Sequence, residues 1–398
     1  MSFYTSSLKT HLIDPIYNTS KFQTEFRLNQ GTVYLSNMRL CNLGLVSSGD
    51  SGLNVLCGNY GIIKSIHLYD GNQLLDQLLE ANIWLSFAQY NKNNEQNCNM
   101  DTFTAKNHLG YELNNKKAIP CYNTKGATNN SSTTATSWLS LQQVFPFLKA
   151  SAYVPTNLFK NLRIVINYET DVSKVLQDNA QTITSTLQPL LICDELVNDS
   201  SKASVMKSYS PPQWNSIEHD RLVVDEIPAA GPQTKSFTIN GFDNKTISRV
   251  LIVNSPTENT SDPSPLYGTN GSKTNYKQKI QIRINGANVF ARDGIKDINH
   301  RLALLTDTWG TCNGITSLPG VVLTDTNELV DKVRLGNTDY FGCRVNQFVQ
   351  EFQLEYAREK TANMGIGKRY FQQLFLNIFA EVPKAIRVSE GQYNVVYL

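Results

Sequence analysis

The sequence is short of charge. Asp, Glu, Lys and Arg supply 18% of its 398 residues, the formal net charge is +2, and no run of five like charges occurs. Nothing therefore draws the whole chain to nucleic acid or to an anionic membrane, and the short basic pairs Lys116-Lys117 and Lys368-Arg369 read as solvated surface. Paired cysteine is missing as well. Cys41, Cys57, Cys98, Cys121, Cys193, Cys312 and Cys343 are dispersed singly, with no CxxC and no nearby His. That pattern argues against a disulfide framework and a zinc site, and free thiols in a reducing compartment are expected. No stretch approaches the roughly 18 apolar residues that a spanning helix needs. The start, MSFYTSSLKT, has no apolar signal core. The expectation is a protein soluble and intracellular at synthesis, in which sequons such as Asn130-Ser131-Ser132 and Asn244-Lys245-Thr246 go unused.

Catalytic signatures are equally scarce. Gly365-Ile366-Gly367-Lys368 comes nearest to a phosphate loop, but it lacks the first glycine at the right spacing and the following Ser or Thr. There is no GxSxG elbow and no HExxH. His11, His67, His108, His219 and His300 lie far apart, none at the i, i+4 spacing of a helical metal pair. Glu218-His219-Asp220 is the most suggestive triplet. Neighbours on a strand face opposite sides and cannot converge on one atom, so it reads as a loop beside Arg221. Asp325, Asn327 and Asp331 mimic part of a calcium loop without its sixth-position Gly and twelfth-position Glu, which leaves calcium only as a bridge at a subunit contact. Trp84, Trp138, Trp214 and Trp309 fall in different elements. With no basic groove beside them, core and interface packing accounts for them better than base or sugar stacking. The expectation is no enzyme: no catalytic, no cofactor-binding and no metal residue is assigned, and no cofactor is implied.

Asn, Gln, Ser and Thr fill the shortfall in charge, a composition suited to loops and solvated strands. The length predicts two domains, placed at 1–180 and 181–398. The dominant apolar period is two, that of a strand. Strands are expected at Phe22–Leu28, Thr32–Leu40, Gly61–Tyr69 and Leu162–Tyr168, the last central in its sheet. Leu74, Leu75, Leu78, Leu79, Ala81 and Leu85 predict an amphipathic helix from Leu74 to Tyr90. A second short helix is expected within Trp138–Leu148, and 171–188 reads as the interdomain connection. Beyond it, strands are expected at Pro189–Val197, Arg221–Ile227, Thr234–Ile239, Ser248–Val253, Lys279–Ile284 and Gln347–Tyr356, with Leu374–Phe379 and Tyr393–Leu398 as a closing pair. Long polar loops occupy 91–137 and 254–276. Seven or eight short strands per half is the count for a sandwich or jelly roll.

Several stretches together resemble a known family. GIIKSIHLYDGNQLLDQLLEANIW (61–84), LQQVFPFLKASAYVPTNLFKNLRIVINYE (141–169), TINGFDNKTISRVLIV (238–253), QKIQIRINGANVF (278–290) and NIFAEVPKAIRVSEGQYNVVYL (377–398) look like segments of double jelly-roll major capsid proteins of double-stranded DNA viruses, in the virophage, polinton-like and nucleocytoplasmic large DNA virus group. The resemblance is carried by pattern over most of the chain, and the chain is shorter than most eukaryotic members. It implies a mostly β chain of two tandem eight-stranded jelly-roll β-sandwiches with short helices in the loops. It also implies a structural virion protein that forms a homotrimer with a pseudo-hexagonal outline, tiling an icosahedral shell beside neighbouring capsomers and minor or penton proteins. An internal membrane beneath the shell and synthesis in the host cytoplasm (virus factory) or nucleus belong to the same expectation, with no specific nucleic acid. The alternative is a carbohydrate- or receptor-binding β-sandwich of lectin or fibre type. A glycosidase on a β scaffold would need two carboxylates about 5–10 Å apart, and the sequence marks no such pair.

Overall fold

The computed structural model describes residues 8–19, 22–48, 61–90, 122–123, 137–175, 182–224, 233–256, 276–291, 294–295, 298–309, 340–360, 374–389 and 392–398. Its first half contains β1 (Leu8–Ile13), β2 (Tyr17–Thr19), β3 (Gln23–Arg27), β4 (Val33–Leu35), β5 (Arg39–Leu43), β6 (Leu45–Ser47), β7 (Ile63–Asp70) and β8 (Gln73–Leu79). After α1 (Ala81–Tyr90) come β9 (Tyr122–Asn123), β10 (Ser137–Ser140), α2 (Pro146–Lys149), β11 (Tyr153–Pro155), β12 (Leu162–Tyr168), α3 (Val172–Val175), β13 (Ile183–Thr186), β14 (Leu190–Leu196) and α4 (Asp199–Ser208). One sheet runs β10-β5-β14-β4-β11 with β1 added on β14; the other runs β2-β3-β12-β7-β8. A small β13-β6-β9 sheet extends them. Phe26, Leu40, Ile66, Phe145, Ile164 and Leu191 meet in one core between the two large sheets.

The second half contains β15 (Gln213–Val224), β16 (Gln233–Thr238), β17 (Lys245–Pro256), β18 (Tyr276–Ile284), β19 (Ala287–Asn288), α5 (Ile298–Trp309), β20 (Tyr340–Val349), β21 (Phe352–Lys360), β22 (Leu374–Ser389) and β23 (Gln392–Tyr397). Its sheets run β15-β22-β17-β20, with β23 on β22, and β16-β21-β18-β19. The hairpin from β18 to β19 turns on Asn285 and Gly286, at φ +52° and +79°, as a two-residue turn of the favoured twist requires.

One sheet is apolar on both faces. Val250, Ile252, Leu376, Ile378, Ala380 and Val382 point into the second sandwich. Their neighbours Leu251, Val253 and Phe379, with Ile217 and Ile386, join the core of the first. This explains why Val250–Val253 and Leu374–Phe379 read as nearly continuous apolar runs: a strand covered on both sides has no solvated face to mark by alternation. The two halves are thereby joined through a shared wall.

Several expectations need correction. The stretch predicted as one helix from Leu74 to Tyr90 is strand β8 followed by α1. Gly71, at φ +59°, opens a tight turn that pins Gln73–Leu79 against β7, and this pairing overrides the helical spacing of the leucines. Leu75 is the extra residue of a β-bulge opposite Leu68 and Tyr69, and both it and Asp76 are buried, so the period of two is hidden. Trp138–Leu148 is strand β10 and then two short helical turns. Thr32–Leu40 is split between β4 and β5, and Gln347–Tyr356 is a turn between β20 and β21, which lie in different sheets. This turn is held by Asn285 Oδ1, which accepts from the backbone N–H of Gln350 and Glu351.

The segment 171–188, expected as the interdomain connection, contains α3 and β13, which pairs with β6. Strand β14 pairs with β1, β4 and β5. Residues 183–196 thus pair within the sheets of the first half, and α4 follows them. The polar stretch that becomes α4 is capped by Asn198, whose side chain accepts from Ser200 N and Ser201 N. The first half also carries more strands than the eight expected. Most of 91–137 and 254–276, and all of Gly365–Lys368, Asp325, Asn327 and Asp331, lie outside the described residues. No described helix is long and apolar enough to cross a membrane.

Candidate functional site

Several of the buried charged groups lie where the two halves meet. Asp76 on β8 is fully buried. Its Oδ1 accepts from Ser216 Oγ at 2.6 Å and from the Gln77 N–H at 3.1 Å; its Oδ2 accepts from the Phe147 N–H at 3.0 Å. One carboxylate thus ties β8 and α2 of the first half to β15 of the second. Burial pushes its pKa up to about 6, against the pull of Ser216, Phe147, the more distant Lys384 and Gln77. Two residues further along β15, Glu218 binds the buried Lys384 at 2.6 Å. Lys245 lies 3.9 Å from its other oxygen, and both ammonium groups sit about 5 Å from the ring of Tyr397.

A second pair lies on the same wall. Arg249 grips Glu381 through two bonds of 2.6 and 2.9 Å and donates its remaining nitrogen to Thr308 O at 2.7 Å. Its guanidinium lies 4.1 Å from the Trp309 ring. Trp309 donates to Val250 O at 3.0 Å and meets Trp84 edge-on at 5.3 Å, and Trp84 in turn touches Phe379. Across the joint, Trp214 meets Phe147 edge-on at 5.2 Å, and Tyr393 of β23 packs on Phe159. The aromatic contacts supply area and fix the angle between halves, while the buried ion pairs fix register. A cleft of about 520 Å³ opens beside them.

The first half has a latch of its own. Glu195 accepts from Thr32 Oγ1, from Lys202 Nζ of α4 at 3.0 Å, and lies 2.7 Å from His11 Nε2 of β1. Burial alone would raise its pKa, but these three partners outweigh it and hold the carboxyl down at about 2.

No family model and no curated protein matches the sequence. Solved structures do match the shape. PBCV-1 VP54, fitted into a reconstruction of the virophage Sputnik, superposes at TM-score 0.59 with 11% identity, covering 98% of this chain and 97% of its own. The major capsid protein of mavirus gives 0.55 at 9% identity over 100% and 91%, and that of Faustovirus gives 0.50 at 10% over 98% and 90%. The fold is the double jelly roll.

Within this double jelly roll the residues singled out from sequence go separate ways. Glu218, His219 and Asp220 lie in strand β15 and not in a loop. Glu218 meets Lys384, His219 binds Asn377 at 3.1 Å against Phe379, and Asp220 accepts from the Gly241 N–H at 3.2 Å. Burial lowers the pKa of His219, and likewise of His67, which binds Ser65. His300 lies on α5 and His108 outside the described residues. Trp84, Trp214 and Trp309 do converge at the joint, whereas Trp138 packs under Arg39. Among the described residues no three of His, Cys, Asp and Glu are placed to hold a metal. Cys193 and Cys343 are buried, with thiol pKa pushed up to about 12. Sequence reasoning missed Asp76, Ser216, Arg249, Glu381 and Lys384. For Asp76, Glu381 and Lys384 the signal was charge inside an apolar strand, as in Leu-Leu-Asp-Gln-Leu-Leu and Ile-Phe-Ala-Glu-Val-Pro-Lys-Ala-Ile, which is rare unless the charge is partnered.

Proposed function

We propose that this chain is a structural capsid subunit, a non-enzymatic double jelly roll that forms homotrimers of pseudo-hexagonal outline and tiles an icosahedral shell. The observation that carries this reading is the rigid pairing of two sandwiches in one chain. They share a wall apolar on both faces, in a fold that matches viral major capsid proteins from end to end. Three such pairs in a ring present six similar units, which is what a hexagonal lattice accepts, so function would reside in side-to-side interfaces. Its partners would be neighbouring capsomers and minor or penton proteins, with an internal membrane beneath the shell and no specific nucleic acid. Its place is the virion capsid, after synthesis in the host cytoplasm or nucleus. The buried ion pairs at the joint then serve geometry: they hold the two units at one angle, as a lattice requires.

Electron microscopy of the purified protein with a native mass measurement tests this. Particles of three times the chain mass with a hexagonal outline are expected. A dispersed monomer at high concentration refutes it. The alternative of a carbohydrate-binding sandwich is not needed to explain the fold, although one cleft has a lining suited to such binding.

A further inference from the structure

The cleft at the joint is polar at its rim and aromatic in its depth. Its volume of about 520 Å³ lies within the range of small-ligand sites. Trp84, Trp214 and Trp309 line it, the first two only 8% and 5% exposed. The indole N–H of Trp214 is a buried donor with no hydrogen-bond partner among the described residues. Such a group marks a place for a water acceptor, on the face of β15 opposite Gln213 and Asn215.

The rim adds groups that the fold itself does not use. Gln213 and Asn215 are exposed, and their side chains make no hydrogen bond among the described residues. They stand two apart on β15, on one face and roughly 7 Å from each other. Each amide can both donate and accept, which suits neighbouring hydroxyls. The basic groups in the lining differ in how they are matched. Arg249 is neutralised by Glu381 and Lys384 by Glu218, whereas Lys149, at the end of α2, is exposed with no ion pair among the described residues.

We propose that this cleft binds an acidic saccharide. Its carboxylate would face Lys149, its hydroxyls Gln213 and Asn215, and an apolar ring face the indoles of Trp84 and Trp309. The proposal draws on the cleft alone and does not rest on the capsid role.

Tryptophan fluorescence of the full chain, titrated with 3′-sialyllactose and with digalacturonate, tests it, with lactose as the neutral control. At least one acidic probe should bind, about tenfold or more tighter than lactose. Lys149→Ala and Asn215→Ala, both at exposed positions, should each weaken that binding by about tenfold while leaving the urea midpoint unchanged. Absence of binding by both acidic probes at millimolar concentration overturns the proposal, as does equal binding of lactose or binding indifferent to both variants. Self-association that Lys149→Ala abolishes and the acidic probes fail to displace would assign the cleft to a neighbouring chain, and would overturn it too.

Discussion

Replacing Asp76 by Asn should make the protein more stable at neutral pH and less stable in mild acid. The carboxyl is wholly inside the joint, and its nearest cation, Lys384, is already held by Glu218. Its pKa stands near 6 in the folded chain against 3.8 in the open one. A raised folded pKa in an acid means that the folded state binds the proton more tightly. The stabilisation that this brings is complete below the unfolded value and disappears as pH rises through about 6. Two pKa units correspond to about 3 kcal/mol, which is the expected cost of keeping this charge buried at pH 7.5. Asn removes that cost. Its amide can still accept from Phe147 and donate to Ser216, but it leaves the Gln77 N–H unmet, a loss of about 1 kcal/mol. Asp76→Asn should therefore gain about 1–2 kcal/mol at pH 7.5 and lose about 1 kcal/mol at pH 4.5, with the two stability curves crossing between. Urea unfolding of both proteins across that range measures it. A loss of equal size at both values would refute the reasoning, because the carboxylate would then be stabilised by its donors and not strained by burial.

Gly342 lies under α5: an added Cβ would come within 2.7 Å of Trp309 Cδ1 and 2.9 Å of Leu305 Cδ1. Gly342→Ala should therefore cost about 1–3 kcal/mol and red-shift the tryptophan emission, as read by urea unfolding and fluorescence. Truncating Phe379, fully buried in the wall between the halves, to Ala should cost about 3–5 kcal/mol in the same assay. Glu195→Gln should loosen β1, seen as faster amide exchange over Leu8–Ile13. Because the Glu195 pKa is depressed to about 2 from 4.5, wild-type protection should itself fade as pH falls through that window. Among the described thiols, Cys41 is half-buried whereas Cys193 and Cys343 are buried, so alkylation of the native protein should reach Cys41 first and the other two only on unfolding.

The sandwich layout was legible because most strands alternate. Gln23–Arg27 and Thr234–Thr238 have one wetter face, and the period of two along them and along Lys279–Ile284 states the strand openly. Strand β8 was misread because its leucines carry helical spacing while a turn at Gly71 imposes pairing from outside the segment. The pairing of β13 and β14 was not legible because their partners lie more than a hundred residues back, and no local pattern announces such a partner. The joint was least legible of all. Asp76 and Ser216 are 140 positions apart, and neither is unusual until a third element supplies the Phe147 N–H. The tryptophans were noticed separately, and only packing showed that three of the four meet.

The wall that is apolar on both faces constrains what can become of either half. Cut away from the first sandwich, the second would expose Leu251, Val253 and Phe379 to water as a greasy sheet face and should aggregate when expressed alone. A chimaera that exchanges one half for that of another double jelly roll must match this wall side chain for side chain, with Asp76 meeting a hydroxyl across the boundary. The two units are bound into a single heritable module, in which outer loops can drift while the face between them changes only in concert.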